Sequence, residues 1–369
     1  MGADPFQGRR GDCSGGSLTP PPRSQRFRRR IEGRGRPIEL SELPLGQRTD
    51  LRLPIYQDAL SRPLEVPFIV LRGRHPGPTL GLSAAIHGNE LNGIKIIHHV
   101  LEELDPSELH GSLVCAPVSN VLAYEAGQRR FPIDEVDLNH VFPGKKEGTP
   151  SEQYARAFAT TFLPPLDYLV DIHTASEGRV NSFYVRADLH QEEAKEMALR
   201  INPEIVLHSR SGDGTLRNAA RARGIPAVTL EAGNPSVFQG RMVLEGELGV
   251  LNILAWLRIT RQEPPQPVDR DPIICGSSKW LRTTCGGLLE THFQLRDTIS
   301  KSQLLAEVSD PFGYRVATYS APSPGVVIGM SKSPVAVPGM RYCHLGAVGE
   351  PASPRGRAAA SKAEETRTP

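Results

Sequence analysis

The sequence has few cysteines, little net charge and no long apolar run. Its 369 residues include five cysteines with no CxxC pair, which excludes a regular disulfide framework and indicates reduced thiols. A formal net charge of +2 gives no reason to expect a nucleic-acid or membrane surface. No stretch of about 18 apolar residues occurs, so no transmembrane helix is expected.

The composition is that of a globular chain, with 38% hydrophobic and 23% charged residues. Residues 1–36 are rich in Gly, Pro, Ser and Arg, and residues 350–369 are similar. Both segments are therefore predicted to be disordered tails. The N-terminus lacks an apolar secretory signal, and we expect a cytoplasmic protein. The basic, acid-poor start of the chain leaves an organellar transit peptide open.

Between the tails, strand-like and helix-like patterns alternate, which predicts an α/β domain over residues 37–262 with a mixed sheet flanked by helices. The predicted strands are 65–73, 79–86, 112–119, 167–174, 204–209 and 226–233. The predicted helices are 91–104, 151–162, 191–201 and 241–259. In such sheets, functional sites collect at the carboxyl ends of the strands.

A Pro-rich stretch, QEPPQPVDRDP, interrupts this pattern at residues 262–272 and reads as a linker. After it the apolar segments are short and separated by Gly and Pro. This pattern predicts a small β domain over residues 272–349.

A candidate metal site begins at the end of the strand-like run GLSAAI, where His87 is followed three residues later by Glu90. Zinc binds imidazole nitrogen and carboxylate oxygen, and hydrolytic sites commonly use three protein ligands. His173 supplies a third at the end of another strand, in LVDIHT. Period-two alternation puts Asp171 on the same face as His173, where its carboxylate can orient the imidazole.

A hydrolytic zinc site also needs a base and a group that stabilises negative charge on the carbonyl oxygen. Glu231 follows a third apolar strand in VTLEAG and is the candidate base. Arg129 and Arg130 are candidates for the cation. Each residue alone has an ordinary structural explanation, as a polar strand end or a solvated surface charge, and only their combination favours a metal site.

Several of these motifs occur in an order that resembles the succinylglutamate desuccinylase/aspartoacylase family. They are HGNE at 87–90, APVSNVLAYEAGQRR at 116–130, DLNHVFPG at 137–144, DIHT at 171–174 and VTLEAG at 228–233. The resemblance covers roughly residues 50–349, and it implies a zinc-carboxypeptidase-like fold with a C-terminal β domain.

The resemblance also implies the roles of individual residues. It implies one zinc ion per chain, with the ligands His87, Glu90 and His173. It implies that Glu231 is general base and acid and that Arg129 polarises the scissile carbonyl.

For the substrate's carboxylate, the resemblance points to Asn139 and the residue after it. The family motif usually has Arg at that next position, where this chain has His140. A largely neutral imidazole offers one donor per nitrogen, whereas Arg offers a bidentate fork. Recognition of the carboxylate at this position is therefore expected to be weaker, or the substrate to differ.

Together, these observations predict a zinc-dependent amidohydrolase that cleaves the amide bond of an N-acyl amino acid or a related small compound. A zinc carboxypeptidase acting on peptides and a binding homologue with impaired catalysis remain alternatives. Cobalt or manganese can also bind such a ligand set. The expected partner is a small-molecule substrate, with no nucleic acid and no membrane, and a homo-oligomer is left open.

Overall fold

The computed structural model of the chain describes residues 27–30, 35–210, 212, 214–261 and 270–352. Most of both predicted tails and of the predicted linker lies outside these residues. Within the first tail, Phe27–Arg30 forms strand β1, which pairs in parallel with β2 (Gln47–Gln57). These four residues thus form a strand where disorder was predicted, because the outer edge of β2 offers backbone groups for pairing.

Strands and helices alternate through most of the described chain. The remaining strands before the predicted linker are Pro63–Arg72 (β3), His75–Ala84 (β4), His110–Ala116 (β5), Tyr168–His173 (β6), Arg179–Asn181 (β7), Tyr184–Ala187 (β8), Ile205–His208 (β9) and Ala227–Glu231 (β10). The helices are Asn92–Glu102 (α1), Val121–Glu125 (α2), Pro150–Phe162 (α3), Glu192–Arg200 (α4), Leu216–Arg221 (α5) and Gly240–Trp256 (α6). Short 3₁₀ helices occupy Leu40–Glu42, Pro106–Glu108 and Leu138–His140.

The C-terminal region is entirely β in its regular elements, as far as the structure describes it. Its strands are Ile273–Arg282 (β11), Gly287–Thr291 (β12), Thr298–Ile299 (β13), Leu304–Ser309 (β14), Arg315–Ser320 (β15), Gly325–Ser331 (β16), Val335–Ala336 (β17) and Arg341–Val348 (β18). The predicted α/β class and C-terminal β region are confirmed, and every predicted strand and helix overlaps one in the structure.

One large mixed sheet runs through the molecule in the order β1-β2-β3-β5-β4-β6-β10-β8-β9-β11-β18-β16-β13. Its centre, β5-β4-β6-β10, consists of parallel pairs. The carboxyl ends of these four strands therefore meet at one edge of the sheet, where the segments carrying the predicted metal ligands and base arrive.

Helices cover both faces of this centre, as the alternation of buried residues along β6 shows. Val170 and Ile172 belong to a core with α1, α4 and α6, while Leu169 belongs to a second core with α3 and α5. In the second core, the rings of Phe158 and Phe162 on α3 lie 5.9 and 6.1 Å from that of Phe68 on β3. Burial on both faces explains why the central strands are nearly continuous apolar runs.

The C-terminal strands divide between two sheets. β12, β14, β15 and β17 form a separate four-stranded sheet, whereas β11, β13, β16 and β18 continue the large one. β9 pairs in parallel with β11, and β7 pairs with β16. Strands from both predicted units share the large sheet, so the sheet does not separate one unit from the other. The division into units 37–262 and 272–349 therefore stays a prediction. Within the described ranges, no helix has the length and apolar character needed to span a membrane.

Candidate metal and catalytic site

His87, Glu90 and His173 meet at the carboxyl edge of the sheet centre. His173 is the last residue of β6, and His87 follows three residues after the end of the neighbouring strand β4. A tight turn brings Glu90 back, with its amide donating to the carbonyl of His87 at 3.0 Å. Gly88 is required in this turn, because a Cβ there would lie 1.9 Å from the backbone carbon of Ala123.

The facing atoms of these three side chains suit a metal ion. The Nδ1 atoms of His87 and His173 are 3.2 Å apart, and each lies 2.9 Å from an oxygen of Glu90. Ligands about 2.0–2.1 Å from a tetrahedral zinc are separated by roughly 3.3 Å, close to these distances. The three residues are at most 4% exposed. The donor set and its spacing therefore fit zinc.

A carboxylate holds the remote nitrogen of each imidazole. Nε2 of His173 donates to Asp171 Oδ2 at 2.9 Å, and Nε2 of His87 donates to Asp137 Oδ1 at 3.0 Å. An ionised carboxylate only accepts, so both Nε2 atoms carry a proton in these contacts, and each Nδ1 is directed to Glu90 and the other imidazole. Alternation along β6 predicted the Asp171 contact, but sequence reasoning did not find Asp137.

The charges around the cluster favour a cation at its centre. Burial opposes protonation of His173, but the carboxylates of Asp171 and Glu90 outweigh it and raise the pKa of His173 well above its usual value. Burial also opposes ionisation of Glu90, yet His87 and His173 hold the pKa of this carboxyl far below its usual range. A divalent cation held by Nδ1 of His87, Nδ1 of His173 and the carboxylate of Glu90 would be stabilised by the same negative charges.

Arg129 lies directly beside these ligands. Its Nη1 donates to Glu90 Oε1 at 2.9 Å and lies 3.1 Å from His87 Nδ1, while its Nε donates to Asp137 Oδ2 at 3.0 Å. Arg130, the other candidate, instead donates to the carbonyl of Glu135 at 2.7 Å. Of the two adjacent arginines, only Arg129, to which the family resemblance points, contacts the ligand cluster.

Glu231 ends β10 and is paired in register with His173 on the neighbouring parallel strand. Residues paired in this way point to the same face, so the carboxylate of Glu231 enters the cavity that the cluster lines. It accepts hydrogen bonds from Asn181 Nδ2 at 3.2 Å and from Arg186 Nε at 3.4 Å. Its position is therefore fixed on two sides.

Asn139 and His140, the predicted carboxylate-binding pair, also line this cavity but differ in their contacts. Asn139 Oδ1 accepts from the amide of Leu216 at 2.9 Å, so this oxygen secures the start of α5. The side chain of His140 is 71% exposed, and its Nε2 lies 3.8 Å from Asp137. His140 is thus at the rim, with its imidazole mostly in solvent.

The cavity has a volume of about 260 Å³ and a strongly positive lining. Among its described lining residues are two glutamates, Glu90 and Glu231, and five arginines. These arginines are Arg129, Arg179, Arg186, Arg217 and Arg341. Such a surface attracts an anionic ligand, because its low-dielectric walls strengthen the attraction.

Of these five arginines, sequence reasoning found only Arg129, and it missed Arg179, Arg186, Arg217 and Arg341. Arg186 on β8 donates from Nη2 to the hydroxyl of Tyr184 at 2.6 Å. Arg217 on α5 is 6% exposed and donates to the carbonyl of Ser209 at 2.9 Å. Isolated arginines in a four-residue strand and a six-residue helix carry no periodic signal that separates them from surface charges.

A His–Glu–His cluster and an adjacent carboxylate at the edge of an α/β sheet are typical of metal-dependent hydrolases. The family model of the succinylglutamate desuccinylase/aspartoacylase catalytic domain matches residues 76–257. The catalytic domain of this family is therefore present at residues 76–257, as the motifs predicted.

Two relatives concern acetylated or ectoine-related compounds by name. The N-alpha-acetyl-L-2,4-diaminobutyric acid deacetylase of Halomonas elongata is 27% identical over 276 residues, covering 70% of this chain and 79% of that protein. The product-bound ectoine utilization protein EutE (DoeB) from Ruegeria pomeroyi is 25% identical, with a TM-score of 0.74 over 83% of this chain and 97% of that chain.

A second solved structure shares the fold. It is a succinylglutamate desuccinylase/aspartoacylase from Rhodobacter sphaeroides, with 20% identity and a TM-score of 0.75 over 85% of this chain and 98% of that one.

Proposed function

We propose that the protein is a zinc-dependent amidohydrolase that cleaves the amide bond of an N-acyl amino acid or a related small N-acyl compound. The observation that carries this proposal is the convergence of His87, Glu90 and His173 with Glu231 in one cavity. A relative named as a deacetylase of an N-acetylated amino acid supports the class of bond.

The ligands of the ion would be His87 Nδ1, His173 Nδ1 and the carboxylate of Glu90. When bound there, zinc supplies a Lewis acid that polarises the scissile carbonyl and lowers the pKa of a water molecule. Asp137 and Asp171 keep both imidazoles in the tautomer and orientation that this requires.

Glu231 is the group we assign to proton transfer. Its carboxylate takes the proton of the attacking water and later gives it to the leaving amine nitrogen, so that amide and water become carboxylate and amine. Asn181 and Arg186 hold this carboxylate in place. Arg129 supplies the fixed cation for the negative charge that develops on the carbonyl oxygen.

The dimensions of the cavity favour a small substrate over a peptide. Its volume of about 260 Å³ is below the range of roughly 300–1,000 Å³ that drug-sized ligands occupy. Trp280 on β11 and Arg341 on β18 line it, so the C-terminal strands narrow the space around the cluster. The narrowing of the cavity by Trp280 and Arg341 is the feature that argues against a carboxypeptidase acting on peptides.

The positive lining favours a substrate with a carboxylate. Asn139 and His140 remain the proposed pair at this group, with Asn139 acting mainly through the start of α5 and His140 offering one donor at the rim. We further propose a catalytic unit at 37–262, a β domain at 272–349 and a cytoplasmic location.

The direct test combines metal analysis with a substrate screen on the purified chain. We expect about one equivalent of zinc and hydrolysis of at least one member of a panel of N-acetyl and N-succinyl amino acids. A zinc-loaded protein that cleaves a peptide library but none of this panel would replace the proposal by the carboxypeptidase. A zinc-loaded protein inactive on both would replace it by the binding homologue.

A further inference from the structure

Two amide side chains join the loop that carries the proposed ligand Glu90 to the loop that follows the proposed base Glu231. Asn92 opens α1 just after Glu90. Gln239 ends the loop between Glu231 and α6. We call the pair of Asn92 and Gln239 the amide clasp.

Both polar groups of the Asn92 side chain take part in the clasp. Its Nδ2 donates to the carbonyl of Ala232, directly after Glu231, at 2.8 Å. Its Oδ1 accepts from the amide of Gln239 at 3.0 Å. Asn92 is 0% exposed, so loss of either bond would leave a buried polar group without a partner. This side chain therefore ties the helix after the ligand to the strand end that carries the base.

Gln239 closes the same loop from its other end. Its Oε1 accepts from the amide of Asn234 at 2.6 Å and lies 3.4 Å from Nδ2 of Asn92. Gly233 leaves room for this oxygen, because a Cβ there would lie 2.3 Å from Oε1 of Gln239. The φ of Gly233 is +82°, which also favours glycine at this position.

The loop after the base is also bonded to both ligand segments through its backbone. The amide of Ser236 donates to the carbonyl of Asn89 at 2.7 Å. The carbonyl of Gly233 accepts from the amide of Ala175, just beyond β6, at 2.8 Å. The clasp thus completes a set of contacts that joins the base loop to the two loops carrying metal ligands.

The clasp lies outside the reacting groups. The described residues that line the cavity include neither Asn92 nor Gln239. Glu90 has a separate backbone contact, because its Oε2 accepts from the amide of Thr174 at 3.0 Å. Loss of the clasp is therefore expected to displace the base while the ligand set stays together.

We propose that Asn92 and Gln239 are positioning residues, which fix the carboxylate of Glu231 relative to the metal ligands for proton transfer. The inference rests on the proposed amidohydrolase function and specifies what aligns its base. Misplacement of a reacting group by about 1 Å costs on the order of 10²-fold in rate. The clasp therefore acts on kcat, whereas KM and zinc content depend on other residues.

The first test replaces Asn92 by Ala. We expect kcat for the best substrate of the N-acyl amino acid panel to fall by about 10²-fold, with little change in KM and with zinc near one equivalent. Asn252→Ala on α6 is the matched control, since Asn252 Nδ2 also donates to a backbone carbonyl, that of Arg200, at 3.0 Å. This control should keep the kcat of the unmodified chain.

A pair of variants at the half-buried Gln239 remains informative if Asn92→Ala does not fold. Gln239→Met keeps the length of the side chain but removes its acceptor, so kcat should fall by about tenfold. Gln239→Glu keeps an acceptor for the amide of Asn234, and a carboxylate suits the start of α6, so most of kcat should be retained. Equal kcat in the Met and Glu variants would overturn the role of Gln239.

A change of leaving group separates a displaced base from a general loss of structure. The amine of an amide leaves with a proton from Glu231, whereas the thiolate of an S-acyl analogue leaves without one. Asn92→Ala should therefore slow amide hydrolysis more than thioester hydrolysis, by about tenfold. An equal reduction for both substrates would assign Asn92 to stability alone and overturn the proposal.

Hydrogen exchange of the zinc-loaded chain separates the clasp from the proposed function. We expect Asn92→Ala, but not Asn252→Ala, to speed the exchange of amides in residues 89–94 and 232–239 together. That result in a chain without amide hydrolysis would keep the link between the loops and reject the proposed function. Amide hydrolysis with unchanged kcat in Asn92→Ala and Gln239→Met would keep the amidohydrolase and overturn the positioning role.

Discussion

Asp171 Oδ2 lies 2.9 Å from Nε2 of His173, two residues further along the same strand. Because alternate residues of a strand point to the same face, β6 delivers an imidazole together with the carboxylate that orients it. His87 obtains the equivalent partner from Asp137, fifty residues away in sequence. One orienting contact is thus local and the other depends on the tertiary fold.

Replacement of Asp171 by Asn should weaken zinc binding by about 10- to 100-fold, the usual effect of losing such a carboxylate partner. Asn keeps the shape but can present its amide rather than an anion to Nε2. Competition with a chelator of known affinity measures the change. Ser83→Ala is the matched control, since Ser83 Oγ donates to the same carboxylate at 2.7 Å without touching the imidazole. Equal zinc affinity in Asp171→Asn and the unmodified chain would contradict this role.

Removal of the metal should abolish amide hydrolysis, and added zinc should restore it. His87→Ala should purify without a stoichiometric ion, because one of the three donors at the cluster is gone. His99→Ala is a suitable control, since this imidazole is 44% exposed on α1 and contacts Glu247 instead. Retention of a full equivalent of tightly bound zinc in His87→Ala would exclude His87 as a ligand.

Glu231→Gln should lower kcat by about 10²- to 10⁴-fold while zinc content stays at one equivalent, because an amide cannot accept the proton of water. Steady-state rates and metal analysis on the same preparation check both halves of this prediction. Glu247→Gln on α6 removes a carboxylate outside the cavity and serves as control. Turnover near that of the unmodified chain would remove Glu231 from the mechanism.

Arg129→Lys should lower kcat by about 10²-fold, within the range for loss of one group that stabilises an oxyanion. Lys keeps the charge but lacks the fork that contacts Glu90 and Asp137 together. The informative measurement is the separation of kcat from KM. A higher KM at unchanged kcat would assign Arg129 to substrate binding rather than to the developing charge.

Thr149→Ala should reduce the free energy of unfolding by about 1 kcal/mol through loss of a helix cap. Thr149 and Glu152 form a reciprocal capping box at the start of α3, whose Phe158 and Phe162 pack in the core. Urea titration measures the change, and Thr149→Ser, which keeps the hydroxyl, should lose much less. Equal stability of the Ala and Ser variants would show that the cap contributes little.

The sequence predicts His87, His173 and Glu231 because each follows an apolar strand of a recognisable α/β pattern, and it predicts Glu90 from its spacing to His87. His87, His173 and Glu231 needed only the rule that parallel strands end at one edge. Asp137, Arg186 and Arg217 could not be predicted in this way, because they reach the ligand cluster or its cavity from short elements without periodicity. Their approach depends on the packing of β8, α5 and the 3₁₀ turn at Leu138–His140.

Strand β2 shows a different reason for a missed element. Leu51, Leu53 and Ile55 alternate with more exposed residues, which is a strand pattern, but Pro54 within it argues against a central strand. In the structure β2 has its register shift between Pro54 and Tyr56, and its other neighbour is the four-residue β1. The interruption thus reflects a position near the edge of the sheet.

The pairing of β9 with β11 and of β7 with β16 joins the C-terminal strands to the sheet that carries the site, which affects how substrate specificity can change. The residues matched by the family's catalytic domain end at 257, yet Trp280 and Arg341 lie beyond that point and still line the cavity. Substitutions in the last strands can therefore alter which molecules are accepted while the ligands and base remain intact. Part of the cavity lining is thus encoded apart from the ligands and base, so this part can diverge at a different rate.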